Sequence, residues 1–340
     1  MSPHETFELA RRAFDAGDWA TAQGHSEETR DAMLKCDYVV HRSSAAAPRH
    51  SIVVVSYRHS TDFVDLLKAL QTYTARPDYE LVLVNNGNAE LAHLVDTLSL
   101  DCTLLDLGFN YGCAGARNIG SIHARGETVI FVDDDGMLHN EAIEALVDCC
   151  MDFGAVAVRG KVVPRTDPAR TASHYDLGSR IMPALPNAEG ISIWRRLHFL
   201  NFGGFDPLLY GHEGILLASR MFRFHGPRHF LYTPKAVLLH DFVRDNSASK
   251  EKAIRYKRLR DYLDYCGVPW RILTRTFREH QTQPELVASF VSMSSRFPAV
   301  RRPNMAAAPP VSILTTARNG SAFVDDFSSS LRYQTHQNFE

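Results

Sequence analysis

Three consecutive carboxylates, Asp133, Asp134 and Asp135, follow directly on the apolar run at residues 128–132. Such a run is typical of a buried strand, and ligands of open α/β sheets bind beyond the carboxyl ends of the strands. Like charges this close repel one another unless a cation lies between them. Hard divalent cations prefer carboxylate oxygens and leave room for a substrate phosphate. The triplet therefore indicates either a metal-assisted phosphate site or a solvated acidic turn.

Polar residues also follow other apolar runs of the chain. His240 and Asp241 come after residues 236–239, and Asn85 and Asn86 come after residues 79–84. A lone histidine is more often structural than a ligand, but its place after a strand favours a ligand here, with Asp241 as the reserve candidate. An Asn-Gly turn alone explains Asn86 and the glycine that follows it.

Alternating strands and helices must position these side chains. The pattern predicts strands at 51–55, 79–84, 102–107, 128–132 and 155–158, and helices at 62–74, 90–99, 113–124 and 140–153. Elements alternating at this length form a mostly parallel sheet with helices on both faces. We therefore expect an α/β fold with a doubly wound sheet, preceded by a short N-terminal helical hairpin within residues 5–34.

Composition excludes several classes of protein. The chain has 340 residues, of which 45% are hydrophobic and 22% charged, and a net charge of −2, so no basic field points to nucleic acid. Its six cysteines lack metal-binding spacing and are expected to be reduced thiols. No run approaches the roughly 20 apolar residues of a transmembrane helix, and residues 1–10 lack the apolar core of a signal peptide. We expect a cytoplasmic protein, with any membrane association peripheral or through a synthase complex.

The chain divides into five predicted segments, namely an N-terminal helical segment (1–42), a linker (43–49), the main domain (50–298), a Pro/Ala-rich linker (299–310) and a further unit (311–340). The last unit repeats the strand–turn–helix layout that begins at His50. A lone unit of this kind cannot bury its own apolar face, so we expect it to be the truncated start of a second module. A long polar segment at 164–190 is expected to form an active-site loop or lid.

Four segments carry a family resemblance, and they lie at residues 55–58 with 84–87, at 110–120 with 133–135, at 202–220, and at His240. Over residues 50–245 the chain resembles family 2 glycosyltransferases of the GT-A fold. It is similar to the first module of bimodular bacterial polysaccharide synthases of the chondroitin and hyaluronan polymerase type. The resemblance implies transfer of a sugar from a nucleotide-sugar donor, with Mn²⁺ or Mg²⁺ as cofactor and a saccharide or glycan as acceptor.

The resemblance also implies roles for individual residues. The metal ligands would be Asp133, Asp135 and His240. The donor-binding residues would be Ser56, Tyr57, Arg58, Asn85, Asn86, Gly112, Arg117, Asp133 and Asp134. Here Asn85 and Asn86 stand where the family commonly has an acid, and Arg58 stands where asparagine is usual. An amide still both donates to and accepts from a base edge.

Glu213 is the candidate general base. The family pattern places an acidic pair after a Gly-Gly-Phe-Asp turn, with an arginine two helical turns later, and Gly203–Asp206, Glu213 and Arg220 match it. The second acid of the pair, the usual base, is replaced by Gly214, so either Glu213 is the base or catalysis is weakened, and we favour Glu213. A surface glutamate that caps a helix is the competing interpretation. A basic pair, Arg195 and Arg196, would contact the diphosphate or acceptor, or form a solvated face.

The expected function is that of a metal-dependent, inverting hexosyltransferase that uses a nucleotide-sugar, with UDP-sugar as the expected donor, in cell-surface or capsular polysaccharide synthesis at the inner face of the membrane. A non-catalytic nucleotide-sugar-binding module of a larger synthase is the alternative. A nucleotidyltransferase or dehydrogenase would need a glycine-rich turn after the first strand, and residues 56–60 contain no glycine.

Overall fold

A computed structural model describes residues 1–167, 171, 174–186, 190–241 and 249–268. The predicted linker at 299–310 and the predicted second unit at 311–340 lie outside these residues. The described strands are β1 (Val39–His41), β2 (His50–Ser56), β3 (Tyr79–Asn85), β4 (Thr103–Asp106), β5 (Thr128–Val132), β6 (Met137–Leu138), β7 (Ala157–Val163), β8 (Met182–Pro183), β9 (Ile191–Arg195) and β10 (Phe230–Leu239).

These strands form one sheet in the order β1-β4-β3-β2-β5-β9-β7-β10-β6, and β8 pairs with β10. Strands β4, β3, β2 and β5 run parallel to one another, and β7 runs parallel to β10. Strand β9 lies antiparallel between β5 and β7. Because β9 reverses direction, β5 and β7 point the same way, and their carboxyl ends reach the same edge of the sheet.

Helices cover both faces of the sheet. They are α1 (Pro3–Ala16), α2 (Trp19–Met33), α3 (Thr61–Thr74), α4 (Leu91–Leu98), α5 (Gly112–His123), α6 (Ala142–Asp152), α7 (Arg196–Asn201), α8 (Glu213–His225) and α9 (Ser249–Tyr265). Buried residues of α3, α4 and α6 pack on one face, and those of α1, α2, α5, α8 and α9 pack on the other.

The two cores follow from the alternation of side chains along the strands. In β5, Val129 and Phe131 belong to the core beneath α5, whereas Ile130 and Val132 belong to the core beneath α3 and α6. A strand buried on both faces is apolar at every position, which is why its sequence shows a continuous run rather than an alternation. The predicted α/β class with a doubly wound, mostly parallel sheet is confirmed.

Four strands, β1, β6, β8 and β9, were not predicted, and β9 and β1 change the layout of the sheet most. Strand β9 follows the polar segment at 164–190 and was not predicted, although it occupies the middle of the sheet. Strand β1 lies within the span predicted as the N-terminal helical segment and pairs antiparallel with β4. Both are short, and pairing with distant strands rather than local pattern places them in the sheet.

The predicted N-terminal hairpin is present as α1 and α2. A left-handed Gly17 ends α1, and Asp18 caps α2 by accepting a hydrogen bond from the amide of Thr21 at 3.2 Å. Phe7 packs with Tyr111, with ring centroids 5.6 Å apart, so the hairpin shares the core of the main domain. Across the described ranges, no helix combines the length and apolar character needed to cross a bilayer.

Candidate active site

The predicted site residues lie at the carboxyl edge of the sheet. Strands β2, β3, β5, β7 and β10 all end there, and the polar residues that follow them converge for that reason. The triplet Asp133–Asp135 follows β5 at the centre of this edge, and His240 follows β10. We call this group of polar strand ends the acidic edge.

Asp133 is held by two neighbours from different elements. Its Oδ1 accepts a hydrogen bond from Nη2 of Arg117 at 2.5 Å, and its Oδ2 accepts one from the amide of Gly190 at 2.7 Å. Arg117 lies on α5, and Gly190 leads into β9. The carboxylate is therefore fixed in orientation before any ligand arrives.

Arg117 connects the acidic edge to the candidate base. Its Nη1 donates to Oε1 of Glu213 at 2.8 Å, and Oε2 of Glu213 accepts from the amide of Gly211 at 2.8 Å. The side chains of Arg117 and Glu213 are 5% and 2% exposed. A planar guanidinium suits such a two-sided contact because its donors point in fixed directions.

The backbone before Glu213 is unusual. His212 adopts a φ of 62°, in the left-handed region, and directly precedes the first residue of α8. Such a conformation in a residue other than glycine costs on the order of 1–3 kcal/mol and is concentrated at functional sites. The turn carries the Glu213 carboxylate inward, toward Arg117, so the competing interpretation as a surface helix cap does not describe this buried side chain.

Asp135 and His240 contact each other across the acidic edge. Oδ2 of Asp135 lies 3.0 Å from Nε2 of His240. This hydrogen bond lowers the pKa of Asp135 and raises the pKa of His240. Within the described ranges, no group of three or more His, Cys, Asp or Glu side chains has the geometry of a metal site. The contact brings together two of the three predicted ligands, while Asp133 is turned toward Arg117 and Gly190.

The charged form of the Asp134 carboxyl is disfavoured, as three adjacent carboxylates lead one to expect. Burial, followed by the charges of Asp135 and Asp133, raises the pKa of Asp134 to about 7. The amide of Tyr57 donates to its Oδ2 at 3.5 Å. Negative charge at this edge is therefore costly without a compensating cation.

A second polar group contains Arg165, Asp62 and Asp241, of which sequence reasoning missed the first two. Arg165 donates to both carboxylate oxygens of Asp62, at 2.9 and 2.7 Å, and this contact lowers the pKa of Asp62. Asp241 accepts from the amide and hydroxyl of Thr166, both at 3.0 Å. Polar residues that closely follow a strand are expected at this edge, and Arg165 is such a residue. It was missed because the sequence predicted that the preceding strand ended at residue 158, whereas β7 extends to Val163.

The predicted nucleotide-binding residues form two groups, an inward group that is buried or engaged in its own turn and an outward group that is exposed. Ser56 and Asn86 are buried, and Oδ1 of Asn86 accepts from the amide of Tyr111 at 3.0 Å. Asn85 accepts from the amide of Asn88 at 2.8 Å and so shapes its own turn. These contacts give the Asn85 and Asn86 side chains a structural role in addition to any contact with a ligand.

Tyr57 and Arg58 form the outward group. Tyr57 is 45% exposed, and the Arg58 guanidinium lies 5.2 Å from the centroid of its ring. A Cβ at Gly87 would lie 3.0 Å from the Tyr57 ring, so the glycine allows the ring to rest on the turn that follows β3. An exposed ring beside this turn offers a stacking surface for a base.

Gly112 begins α5 with a φ of 69° and donates its amide to Oδ1 of Asn110 at 2.8 Å. This left-handed entry favours glycine and sets the direction of the helix that carries Arg117. The predicted glycine-rich helix entry thus lies beside the acidic edge.

Arg195 and Arg196 lie at the opposite edge. Because β9 is antiparallel, Arg195 pairs with Thr128 at the start of β5, and the acids follow the end of β5. Arg195 donates to the carbonyl of Ala155 and Arg196 to that of Ser121. The predicted contact of this pair with a diphosphate at the acidic edge is therefore wrong.

Residues 51–208, just under half of the chain, match the family model described as glycosyl transferase family 2. An uncharacterized glycosyltransferase of Haemophilus influenzae is 28% identical over 97 residues, which are 28% of this chain and 33% of the relative. The galactofuranosyltransferase GlfT1 of Mycobacterium tuberculosis is 28% identical over 150 residues, 42% of this chain and 45% of the relative. The chain thus spans less than half the length of these relatives.

A solved structure shares the fold. The mannosyltransferase PcManGT from Pyrobaculum calidifontis, in complex with GDP-Man and Mn²⁺, aligns with a TM-score of 0.50 and 17% sequence identity, covering 86% of this chain and 85% of that chain. At this identity the likeness shows the GT-A type of fold alone.

Proposed function

We propose that this glycosyl transferase family 2 domain is a metal-dependent, inverting glycosyltransferase that moves a sugar from a nucleotide-sugar to a hydroxyl group of a saccharide acceptor. The observation that carries the proposal is the contact of Arg117 with both Asp133 and Glu213. Asp133, which is suited to donor binding, and Glu213, the candidate base, therefore contact the same guanidinium group. They lie at the sheet edge where α/β folds bind ligands.

The acidic edge fits a hard divalent cation. Asp135 and His240 present an oxygen and a nitrogen 3.0 Å apart, and burial, followed by the charges of Asp135 and Asp133, raises the pKa of Asp134 beside them. Mg²⁺ is usually held by one or two carboxylates together with substrate phosphates and water, so a full protein cage is not needed. Asp135 and His240 would hold Mn²⁺ or Mg²⁺, with Asp133 completing the predicted set. Such a cation neutralises charge that develops on a leaving diphosphate.

The chain's own residues supply binding and proton transfer. Tyr57 would offer a ring for the base, and Asp133, which is held by Arg117 and Gly190, would contact the ribose or metal-bound water. Glu213 takes the proton of the acceptor hydroxyl, while Arg117 holds Oε1 and fixes the orientation of the carboxylate. General-base catalysis contributes about 10²–10⁴-fold. Attack from the face opposite the diphosphate inverts the anomeric carbon.

The substrate is proposed at the level of its class. The transferred group is a hexosyl unit, as the similarity to the galactofuranosyltransferase GlfT1 supports, and UDP-sugar is the expected donor. The setting we propose is polysaccharide synthesis in the cytoplasm, at the inner face of the membrane or in a synthase complex. The similarity to polymerases of the chondroitin and hyaluronan type stays a prediction.

A donor-binding module without turnover is the second candidate. The observation that favours it is the burial of Glu213, which is 2% exposed and held at both oxygens, next to a glycine at the usual position of the base. A carboxylate held in this way has to exchange a hydrogen bond before it takes a proton. Binding of the donor without release of nucleoside diphosphate would be its signature.

The test measures metal-dependent release of nucleoside diphosphate from UDP-, GDP- and dTDP-sugars with saccharide acceptors, in Mn²⁺ or in EDTA. We expect release in Mn²⁺ only, loss of both donor binding and release in Asp135→Ala, and a fall of about 10²-fold or more with donor binding retained in Glu213→Gln. Asp152→Ala is the matched control, because Asp152 is exposed at the end of α6, away from the acidic edge.

Release that persists in EDTA or in Asp135→Ala would contradict the metal-dependent mechanism. Donor binding without release under every condition would instead support the binding module. Product anomers, read by NMR, decide between inversion and retention.

A further inference from the structure

Two arginine side chains converge beside Gly203, on the side of the domain covered by the N-terminal hairpin. Arg30 belongs to α2 and Arg220 to α8. A Cβ built on Gly203 would lie 3.8 Å from Nη1 of Arg220 and 3.9 Å from both Nε and Cζ of Arg30. The two guanidinium groups therefore border the same small space, which a methyl-sized atom enters without a close contact.

Neither guanidinium is matched by a close partner of opposite charge. Nη1 of Arg30 is buried without a hydrogen-bond partner, and the nearest carboxylate oxygen, on the exposed Glu27, is 4.0 Å from Nη2. Among the described residues, the Arg220 side chain has no hydrogen bond and no ion pair within 4 Å. Burial, and then the charge of Arg30, lower the pKa of Arg220.

The buried acid whose charge acts on Arg220 is Asp206, and it is already engaged by other donors. Asp206 is buried, and it accepts hydrogen bonds from Ser26 at 2.6 Å, from the amide of Leu208 at 3.1 Å and from the hydroxyl of Tyr262 at 2.7 Å. Its charge favours the charged form of Arg220 but leaves two cations facing one anion. Like charges that are partly removed from water repel each other unless an anion joins them.

We propose that Arg30 and Arg220, beside Gly203, form a binding site for an oxyanion, that is, a carboxylate or phosphate group of a ligand. Guanidinium groups bind both through charge-assisted hydrogen bonds. Arg220 follows Glu213 by seven residues, so it lies two turns, or roughly 10 Å, further along the same face of α8. The two arginines would then bind an acidic group of the acceptor that lies about two sugar units from the reacting hydroxyl. That last assignment rests on the proposed function, whereas the site does not.

The N-terminal hairpin contributes one of the two arginines of this site. Arg30 lies outside the segment that matches the family model, which begins at residue 51. Hydrogen bonding of Ser26 to Asp206 fixes α2 against the turn that carries Gly203. Arg220 lies beyond the other end of the matched segment, which is residue 208, so the N-terminal helices contribute one ligand-binding group of the site as well as covering the core.

The experiment titrates the full chain with inorganic phosphate, glucuronate or chloride at matched ionic strength, by calorimetry and by the thermal midpoint. We expect saturable binding of phosphate or glucuronate but not of chloride, and at least about tenfold weaker binding in Arg30→Gln and Arg220→Gln. Arg12→Gln, an exposed arginine of α1, is the control and should bind as the wild type does. Arg30→Gln alone decides the matter if Arg220→Gln fails to fold.

Binding of phosphate alone would indicate a phosphorylated ligand, and binding of glucuronate alone would indicate an acidic saccharide. The proposal is overturned if neither anion binds saturably, or if Arg30→Gln binds as tightly as the wild type. Because the readout is anion binding without donor or metal, these results do not depend on release of nucleoside diphosphate.

Discussion

At the scale of single residues, Arg117 is the centre of the candidate site. It is a buried cation that contacts Asp133 at 2.5 Å and Glu213 at 2.8 Å. A buried ion pair contributes little net stability when it forms, but removal of one partner is costly because the other charge stays buried. The same residue therefore decides both the stability of this region and the geometry of the candidate base.

We predict that Arg117→Met lowers the free energy of unfolding by about 3–5 kcal/mol, because two carboxylates lose their shared cation. Arg117→Lys keeps the charge but not the planar fork, so it should recover part of the stability without restoring both contacts. Urea denaturation measures both. Arg11→Met removes an exposed pair with Glu8 and should change stability by no more than about 1 kcal/mol; an equal loss in the two variants would contradict this account.

At the scale of elements, the turn from α7 to α8 is joined to α5 by one amide side chain. Nδ2 of Asn118 donates to the carbonyl of Phe205 at 2.7 Å, and its Oδ1 accepts from the amide of the same residue at 2.9 Å. Gly204 adopts a φ of 63°, and a Cβ there would lie 2.5 Å from Oδ1 of Asn118. Glycine at this position thus allows the turn to contact the helix that carries Arg117.

We predict that Gly204→Ala destabilises the protein by more than backbone strain alone, because Asn118 cannot move without losing both hydrogen bonds. Gly154→Ala is the matched control, since Gly154 has a φ of 59° and open space around its Cα. The control should cost about 1 kcal/mol and Gly204→Ala roughly 1–3 kcal/mol more, as measured by thermal and urea unfolding. Equal losses would show that the contact with Asn118 is unimportant.

At the scale of the whole molecule, the hairpin and the sheet form one core. Phe7 is 3% exposed and packs against Tyr111, and Phe14 packs against Tyr262 of α9, with centroids 5.3 Å apart. Strand β1, which follows the hairpin, joins the sheet at its edge. These contacts indicate that residues 1–42 unfold together with the main domain rather than as a separate segment.

We predict that Phe7→Ala lowers the global free energy of unfolding by about 3–5 kcal/mol. Circular dichroism and tryptophan fluorescence should still give coincident transitions, as expected of one cooperative unit. Phe153→Ala, at a site 55% exposed, should change stability by less than about 0.5 kcal/mol. An unchanged main transition in Phe7→Ala, or a separate early transition for the hairpin, would show that the hairpin folds independently.

Much of the fold could be read from the sequence. Apolar runs buried on both faces identified β2, β3, β4 and β5 within one or two residues, because each run ends where polar turn residues begin. The same signal located the acidic triplet, Asn85 and His240 at one edge, since parallel strands bring their carboxyl ends together. These features depend on residues close in sequence, so the local pattern of apolar and polar residues predicts them.

Other features depend on contacts between residues far apart in sequence. Strand β9 is five residues long, and only its pairing with β5 and β7 inserts it, reversed, into the sheet. That reversal moves Arg195 and Arg196 to the far edge. The contacts of Arg117 with Asp133 and Glu213, and the approach of Arg30 to Arg220, join separate elements across the core. Periodicity specifies which face of an element is buried, but packing of the assembled elements determines which side chains meet.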